Sequence, residues 1–170
     1  GSNVTVTGST ANFNSNHGIY LDGLTYSSVI GNTANSNGEG IYLGAASSNT
    51  VTGNIANNNA YGIYLYTATN NVVVGNTLNN PGSIAIKIQQ NSTGNVISSN
   101  NALGFAALSL DAGCSRNSLV GNKFVGSVID SASDTQYAQS DRLTLDTLSL
   151  GTVAYSPLSI FASSSVALAS

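Results

Sequence analysis

The chain has 170 residues, a length that suits one domain or one segment of a solenoid. Only 6% of them are charged, where about a quarter is usual, and Gly, Ser, Thr and Asn take their place. Four basic residues (Lys87, Arg116, Lys123 and Arg142) against a net charge of −3 argue against a nucleic-acid partner, no apolar run is long enough to span a bilayer, and the lone Cys114 excludes an internal disulfide or a Cys-based zinc site.

In chain order, the first feature is a dipeptide anchor that keeps returning. Gly8-Ser9, Gly31-Asn32, Gly53-Asn54, Gly75-Asn76, Ser99-Asn100 and Gly121-Asn122 recur at a nearly constant spacing, roughly a 22-residue period, and define six rungs. Two residues before each anchor stands an aliphatic: Val6, Val29, Val51, Val73, Ile97 and Leu119. Three residues after it come Ala11, Ala34, Ala56, Leu78, Ala102 and Phe124. Between anchors lies a second repeated element, an apolar-x-apolar triplet: Ile19-Tyr20-Leu21, Ile41-Tyr42-Leu43, Ile63-Tyr64-Leu65, Ile86-Lys87-Ile88 and Leu108-Ser109-Leu110.

The period inside each rung is two, and Asn, Gly and Ser clusters break the strands every few residues. No segment reads as a helix long enough for a crossover between parallel strands. The pattern predicts an all-β coil of about three short strands per turn, stacked so that like residues fall on like. The columns Asn32/Asn54/Asn76/Asn100/Asn122 and Asn12/Asn35/Asn57/Asn79 suit its corners, because Asn tolerates left-handed backbone and its amide can bond to the copy one rung away.

Beyond Phe124 the regular period fails. Residues 1–125 carry equal numbers of acidic and basic groups, so the whole net charge lies in residues 126–170, with Asp130, Asp134, Asp141 and Asp146 against Arg142. The division expected is therefore a repeat domain at 1–125 and a β-rich C-terminal segment at 126–170 that caps the rod or joins it to other copies as a fibre or trimer. The absence of Met marks a processed product or an excised piece. The neutral polar composition suits an exported protein: extracellular, on a cell surface or on a virion.

The "GIYL…SNTVTGN…NN" pattern, over roughly Asn3 to Phe124, resembles the parallel β-helix repeats of the NosD-like and carbohydrate-binding/sugar-hydrolase groups, within the pectin-lyase-like superfamily. The resemblance implies a right-handed parallel β-helix. It also brings polysaccharide enzymes into view, whose signatures are missing: neither Pro81 nor Pro157 follows an Asp, no Asp-Asp pair occurs, and no GGxGxD calcium repeat is present. A Thr-x-Thr ladder of the ice-binding kind begins at Thr5 and Thr50 but breaks on the rungs between and after.

Two columns carry candidate chemistry. His17, Glu39 and Tyr61 recur at the repeat spacing and would stack as base, carboxylate and phenol, the basis for an alternative reading as a uronate lyase or C5-epimerase. The same column continues as Ile84 and Ala106, which points to a position the fold leaves free. The second is Tyr20, Tyr42 and Tyr64, continued by Lys87, with Asp22, Tyr66 and Gln89 two residues on along the same face. A row of Tyr bordered by polar groups suits the apolar faces and hydroxyls of sugars, although Tyr is also a good strand residue. The residues favour a non-catalytic structural or adhesive module that contacts glycans or a partner through this strip, without metal or cofactor.

Overall fold

The computed structural model describes residues 1–137, 142–145, 148–150, 153–155, 160–162 and 166–168. The first twelve strands are β1 (Thr5–Thr7), β2 (His17–Asp22), β3 (Ser28–Ile30), β4 (Glu39–Gly44), β5 (Thr50–Thr52), β6 (Tyr61–Tyr66), β7 (Val72–Val74), β8 (Thr77–Gln89), β9 (Val96–Ser98), β10 (Asn101–Leu110), β11 (Ser118–Val120) and β12 (Lys123–Asp130). They are followed by β13 (Thr135–Tyr137), β14 (Arg142–Leu145), β15 (Leu148–Leu150), β16 (Val153–Tyr155), β17 (Ile160–Ala162) and β18 (Val166–Leu168). Among the described residues every element is a strand and every pairing is parallel, which makes the chain a β-solenoid whose turns up to Phe124 keep the spacing seen in the sequence.

Two sheets form the long walls of the coil. One has eight strands in the order β1-β3-β5-β7-β9-β11-β13-β16, and the other runs from β2 through β4, β6, β8, β10 and β12 to β14 and β17. The expected third strand of each early turn is reduced to single bridges, such as Thr33↔Ile55 and Ile55↔Thr77, while β8 and β10 are long enough to extend along that side.

The interior is built from the columns that the period implied. Ile19/Leu21, Ile41/Leu43, Ile63/Leu65, Ile86/Ile88 and Leu108/Leu110 point inward from one sheet, and Val29, Val51, Val73, Ile97 and Leu119 meet them from the other. Burial of each such aliphatic contributes about 1.5–3 kcal/mol. Ala34, Ala56, Leu78, Ala102 and Phe124 line the third side. Cys114 belongs to a column of small residues with Ala46, Ala68, Ser92 and Ala132, and burial raises its thiol pKa, so its surroundings are those of an inert packing group.

Buried Asn ladders hold the corners. In the column Asn32-Asn54-Asn76-Asn100-Asn122, each Oδ1 from Asn54 onward accepts both the backbone N–H and the side-chain amide of the Asn one turn earlier, at 2.8–3.0 Å, and that of Asn32 accepts the Ser9 N–H. Each Nδ2 also donates to a backbone carbonyl one strand back, as Asn54 does to Val29. A second ladder, Asn49-Asn71-Asn95-Asn117, repeats this arrangement. A third, Asn37-Asn59-Asn80, uses the backbone bond. The Asn12-Asn35-Asn57-Asn79 column lies nearer the surface and runs the opposite way, each backbone N–H donating to the Oδ1 of the turn before. A buried amide left unpaired is costly, so these ladders fix the register of one turn on the next.

The third ladder explains the Gly of Gly-Ile-Tyr-Leu. A Cβ at Gly40 would lie 2.6 Å from the Gly62 carbonyl oxygen and 2.7 Å from the Asn59 amide nitrogen, and Gly18 and Gly62 are equally confined. The ladder ends at Asn80, whose register partner is Gly104, and on that rung the glycine becomes Ala85. The Gly of the Gly-Asn anchors has a different reason: Gly31, Gly53, Gly75 and Gly121 have φ between 61 and 66°, and Ser99 holds a left-handed φ of 54° without the benefit of a missing Cβ.

The boundary expected at residue 125 falls inside β12, which runs continuously to Asp130. The strands that follow continue the two walls in parallel with shorter steps. Leu119 pairs with Tyr137 and Tyr137 with Tyr155, each a shorter step along the chain than the one from Ile97 to Leu119. At this junction the buried Asp130 carboxylate accepts hydrogen bonds from the Ala132 N–H and the Tyr137 hydroxyl, both at 2.9 Å.

Candidate functional site

The outer face of β2, β4, β6, β8 and β10 carries the candidate residues, because the inward Ile and Leu of each triplet force the residue between them outward. In the register of the sheet, His17 pairs with Glu39 and Glu39 with Tyr61; Tyr20, Tyr42, Tyr64 and Lys87 form the middle column; Asp22, Gly44, Tyr66 and Gln89 form the third. All ten expected site residues thus share one face. Their columns are those read from the sequence.

Contacts within the face are uneven. The His17 Nδ1 lies 2.9 Å from a Glu39 carboxylate oxygen with both side chains about one-fifth exposed, but it is out of line for a hydrogen bond. The His17 ring stacks on Tyr20 at 4.7 Å and leans on Tyr42 at 4.8 Å. Tyr61 follows in the same column but turns to Tyr64, 5.0 Å away. The aromatic column is self-packed. Tyr20 and Tyr42 stack at 5.2 Å with an interplanar angle of 11°, whereas Tyr42 and Tyr64 meet edge to face at 5.3 Å. Such pairs are worth about 0.5–1.5 kcal/mol beyond their buried area. Consequently Tyr20 is the exposed ring of the column, at 52%, while Tyr42, Tyr64 and the neighbouring Tyr61 and Tyr66 are partly covered.

Gly44 shapes this surface in a way that the sequence did not announce. A Cβ there would sit 2.5 Å from Cε1 of Tyr42 and 3.1 Å from Oδ1 of Asp22. Gly44 therefore opens a notch into which the Tyr42 ring folds, with the exposed Asp22 carboxylate at its lip and Tyr66 on its other side.

Electrostatics differ along the face. At the β8–β10 end, Lys87 forms an ion pair with Asp111 and donates a hydrogen bond to Ser109 at 3.1 Å. Beside it the Tyr64 hydroxyl donates to the Gln89 side-chain oxygen. Burial pushes the Tyr64 phenol up to about 12, with Tyr42, Tyr61 and Tyr66 adding to the shift. Tyr20 and Tyr42 also shift upward, first from desolvation and then from neighbouring groups, Asp22 among them. The hydroxyls of Tyr20, Tyr42 and Tyr64 are accordingly neutral donors and acceptors at physiological pH.

The family profile described as Periplasmic copper-binding protein (NosD) matches residues 1–144. Neither the curated proteins nor the solved structures yield a match.

Proposed function

The chain belongs to the NosD family, and from that footing we propose that it is a non-catalytic, structural or adhesive solenoid module of the cell envelope that contacts glycans through its tyrosine face. The supporting observation is the repetition of one aromatic column, Tyr20-Tyr42-Tyr64, at the pitch of the rod on a face flanked by Asp22, Glu39, Gln89 and Lys87. The centroid step of 5.2–5.3 Å is close to the length of one sugar along an extended polysaccharide. Ring edges and hydroxyls, rather than open ring faces, would make most of the contacts, with Tyr20 offering the most exposed ring. The family's periplasmic description supports an exported setting and lends nothing to a virion fibre. Self-association through residues 126–170 into a fibre or trimer is part of this proposal, and solution mass tests it.

Copper is the ligand in the family's description, and the donors of this chain do not suit it. Copper sites draw on imidazole, thiolate and thioether groups. This chain has one His, one Cys and no Met. Cys114 is wholly buried in the core, while His17 lies on the outer face against Glu39. Among the described residues no three His, Cys, Asp or Glu side chains converge.

The His17–Glu39 contact favours a second reading, a uronate lyase or C5-epimerase using His17, Glu39 and Tyr61. Such chemistry needs cationic stabilisation of an enolate, and the Lys87 ammonium on this face is already held by Asp111. A glycan array followed by titration separates the two. The binding module predicts glycan affinity lost on Tyr42→Ala with no turnover, whereas uronate turnover abolished by His17→Ala would overturn it.

A further inference from the structure

Building on the glycan reading, we infer that the tyrosine face is built for a glycan bearing amines, of the glucosamine type, and against one bearing carboxylates. The inference starts from which charges on this face are already matched. Lys87 is paired with Asp111, and His17 is set against Glu39. Asp22 is exposed, and among the described residues no cation lies within ion-pair distance of it. The unmatched charge on the face is negative.

The place of that charge decides the chemistry. Asp22 stands at the lip of the Gly44 notch, beside the folded ring of Tyr42 and two turns from Tyr66 across Gly44. On its own strand it lies two residues from Tyr20, the most exposed ring of the column. A carboxylate next to aromatic rings is a setting that attracts an ammonium group, through ion pairing and through the negative ring faces together. The Tyr20 hydroxyl, kept protonated by desolvation and by Asp22, donates to that carboxylate and leaves its oxygen to accept from a sugar hydroxyl, and the Tyr42 hydroxyl is likewise kept protonated. A uronate at the same place would bring its carboxylate towards Asp22 and Glu39, with the nearby ammonium already committed. The pitch of the rod then allows successive sugars to follow the column from Tyr20 to Tyr64.

The test is calorimetric titration of the full chain with three hexasaccharides: glucosamine, N-acetylglucosamine and galacturonate, in mildly acidic buffer. The glucosamine hexamer is expected to bind roughly ten-fold more tightly than its N-acetyl counterpart, and galacturonate weakest. Added salt should erode the advantage of the amine. Asp22→Asn should remove that advantage, bringing the glucosamine hexamer to the affinity of its N-acetyl counterpart, while Tyr20→Ala should weaken both. Galacturonate binding as well as glucosamine, or Asp22→Asn leaving glucosamine affinity unchanged, would overturn the inference while the glycan reading stands. Failure of all three hexamers to bind would overturn both.

Discussion

Replacing Asn54 with Ala tests whether the interior amide ladders hold the turns in register. Asn54 is fully buried, and its Oδ1 accepts from the backbone N–H of Asn32 at 2.8 Å and from the Asn32 amide at 3.0 Å. Its Nδ2 donates to the Val29 carbonyl and to Asn76 Oδ1, each at 3.0 Å. Truncation removes four hydrogen bonds and strands a buried N–H where water has no ready access. With a net ~0.5–1.5 kcal/mol per bond and ~1–3 kcal/mol for the orphaned donor, and with overlap between these terms, the loss should be about 4 kcal/mol. Asn35→Ala is the control. It removes one bond of the same kind, from the Asn57 N–H at 2.8 Å, at a half-buried position that water can reach, and should cost about 1 kcal/mol. Urea unfolding followed by circular dichroism reads the difference. At a slope of about 2 kcal/mol per molar, the Asn54 variant should unfold roughly 1.5–2 M earlier than the parent, and the Asn35 variant roughly 0.5 M earlier. Equal midpoints for the two variants would refute the idea that burial of the ladder sets its weight.

Three further outcomes follow from the same geometry. Gly40→Ala should destabilise by about 3 kcal/mol, because its Cβ meets the Gly62 carbonyl and the Asn59 amide, whereas Gly53→Ala, with open space and only its φ of 64° against it, should cost about 1–2 kcal/mol; paired urea melts check the ranking. Ser99→Gly should stabilise by about 0.5–1 kcal/mol, since Ser99 holds φ at 54° in the column where the other late turns use Gly; a midpoint unchanged or lowered would contradict this. In alkaline titration Tyr64 should ionise near 12, and because its folded pKa lies above the ordinary value of 10, its contribution to stability is intact below pH 10 and is lost as pH rises through 12; phenolate absorbance compared with that of a Tyr64→Phe variant tests it.

Much of this architecture was legible because a stacked coil writes each interior column into the sequence at one spacing. Val29, Val51, Val73, Ile97 and Leu119 could be aligned by counting, and all of them are buried. The continuation past residue 125 was hidden for the same reason. The step from Leu119 to Tyr137 is shorter than every step before it in that column, so a fixed count loses the column although the pairing persists. The ladders of Asn49 and Asn37 were also missed, since Asn reads as a corner residue and nothing in composition separates an inward amide from an outward one. At the candidate site the columns could be counted, but the ring arrangement could not. Rings one strand apart at 5.2 Å are close enough to pack on one another, and only the three-dimensional environment shows that Gly44 admits the Tyr42 ring.

The Asn ladders also make the rod modular. Each interior turn offers the turn before it an Oδ1 and takes an identical one from the turn after, so the joint between Asn32 and Asn54 is chemically the joint between Asn54 and Asn76. One whole turn could therefore be excised or duplicated between Asn32 and Asn76 and the cut ends would meet matching partners, whereas a deletion that removes part of a strand would set amide against aliphatic along that strand's columns. Length in such a molecule is a digital quantity, free to change by whole turns while its cross-section stays the same.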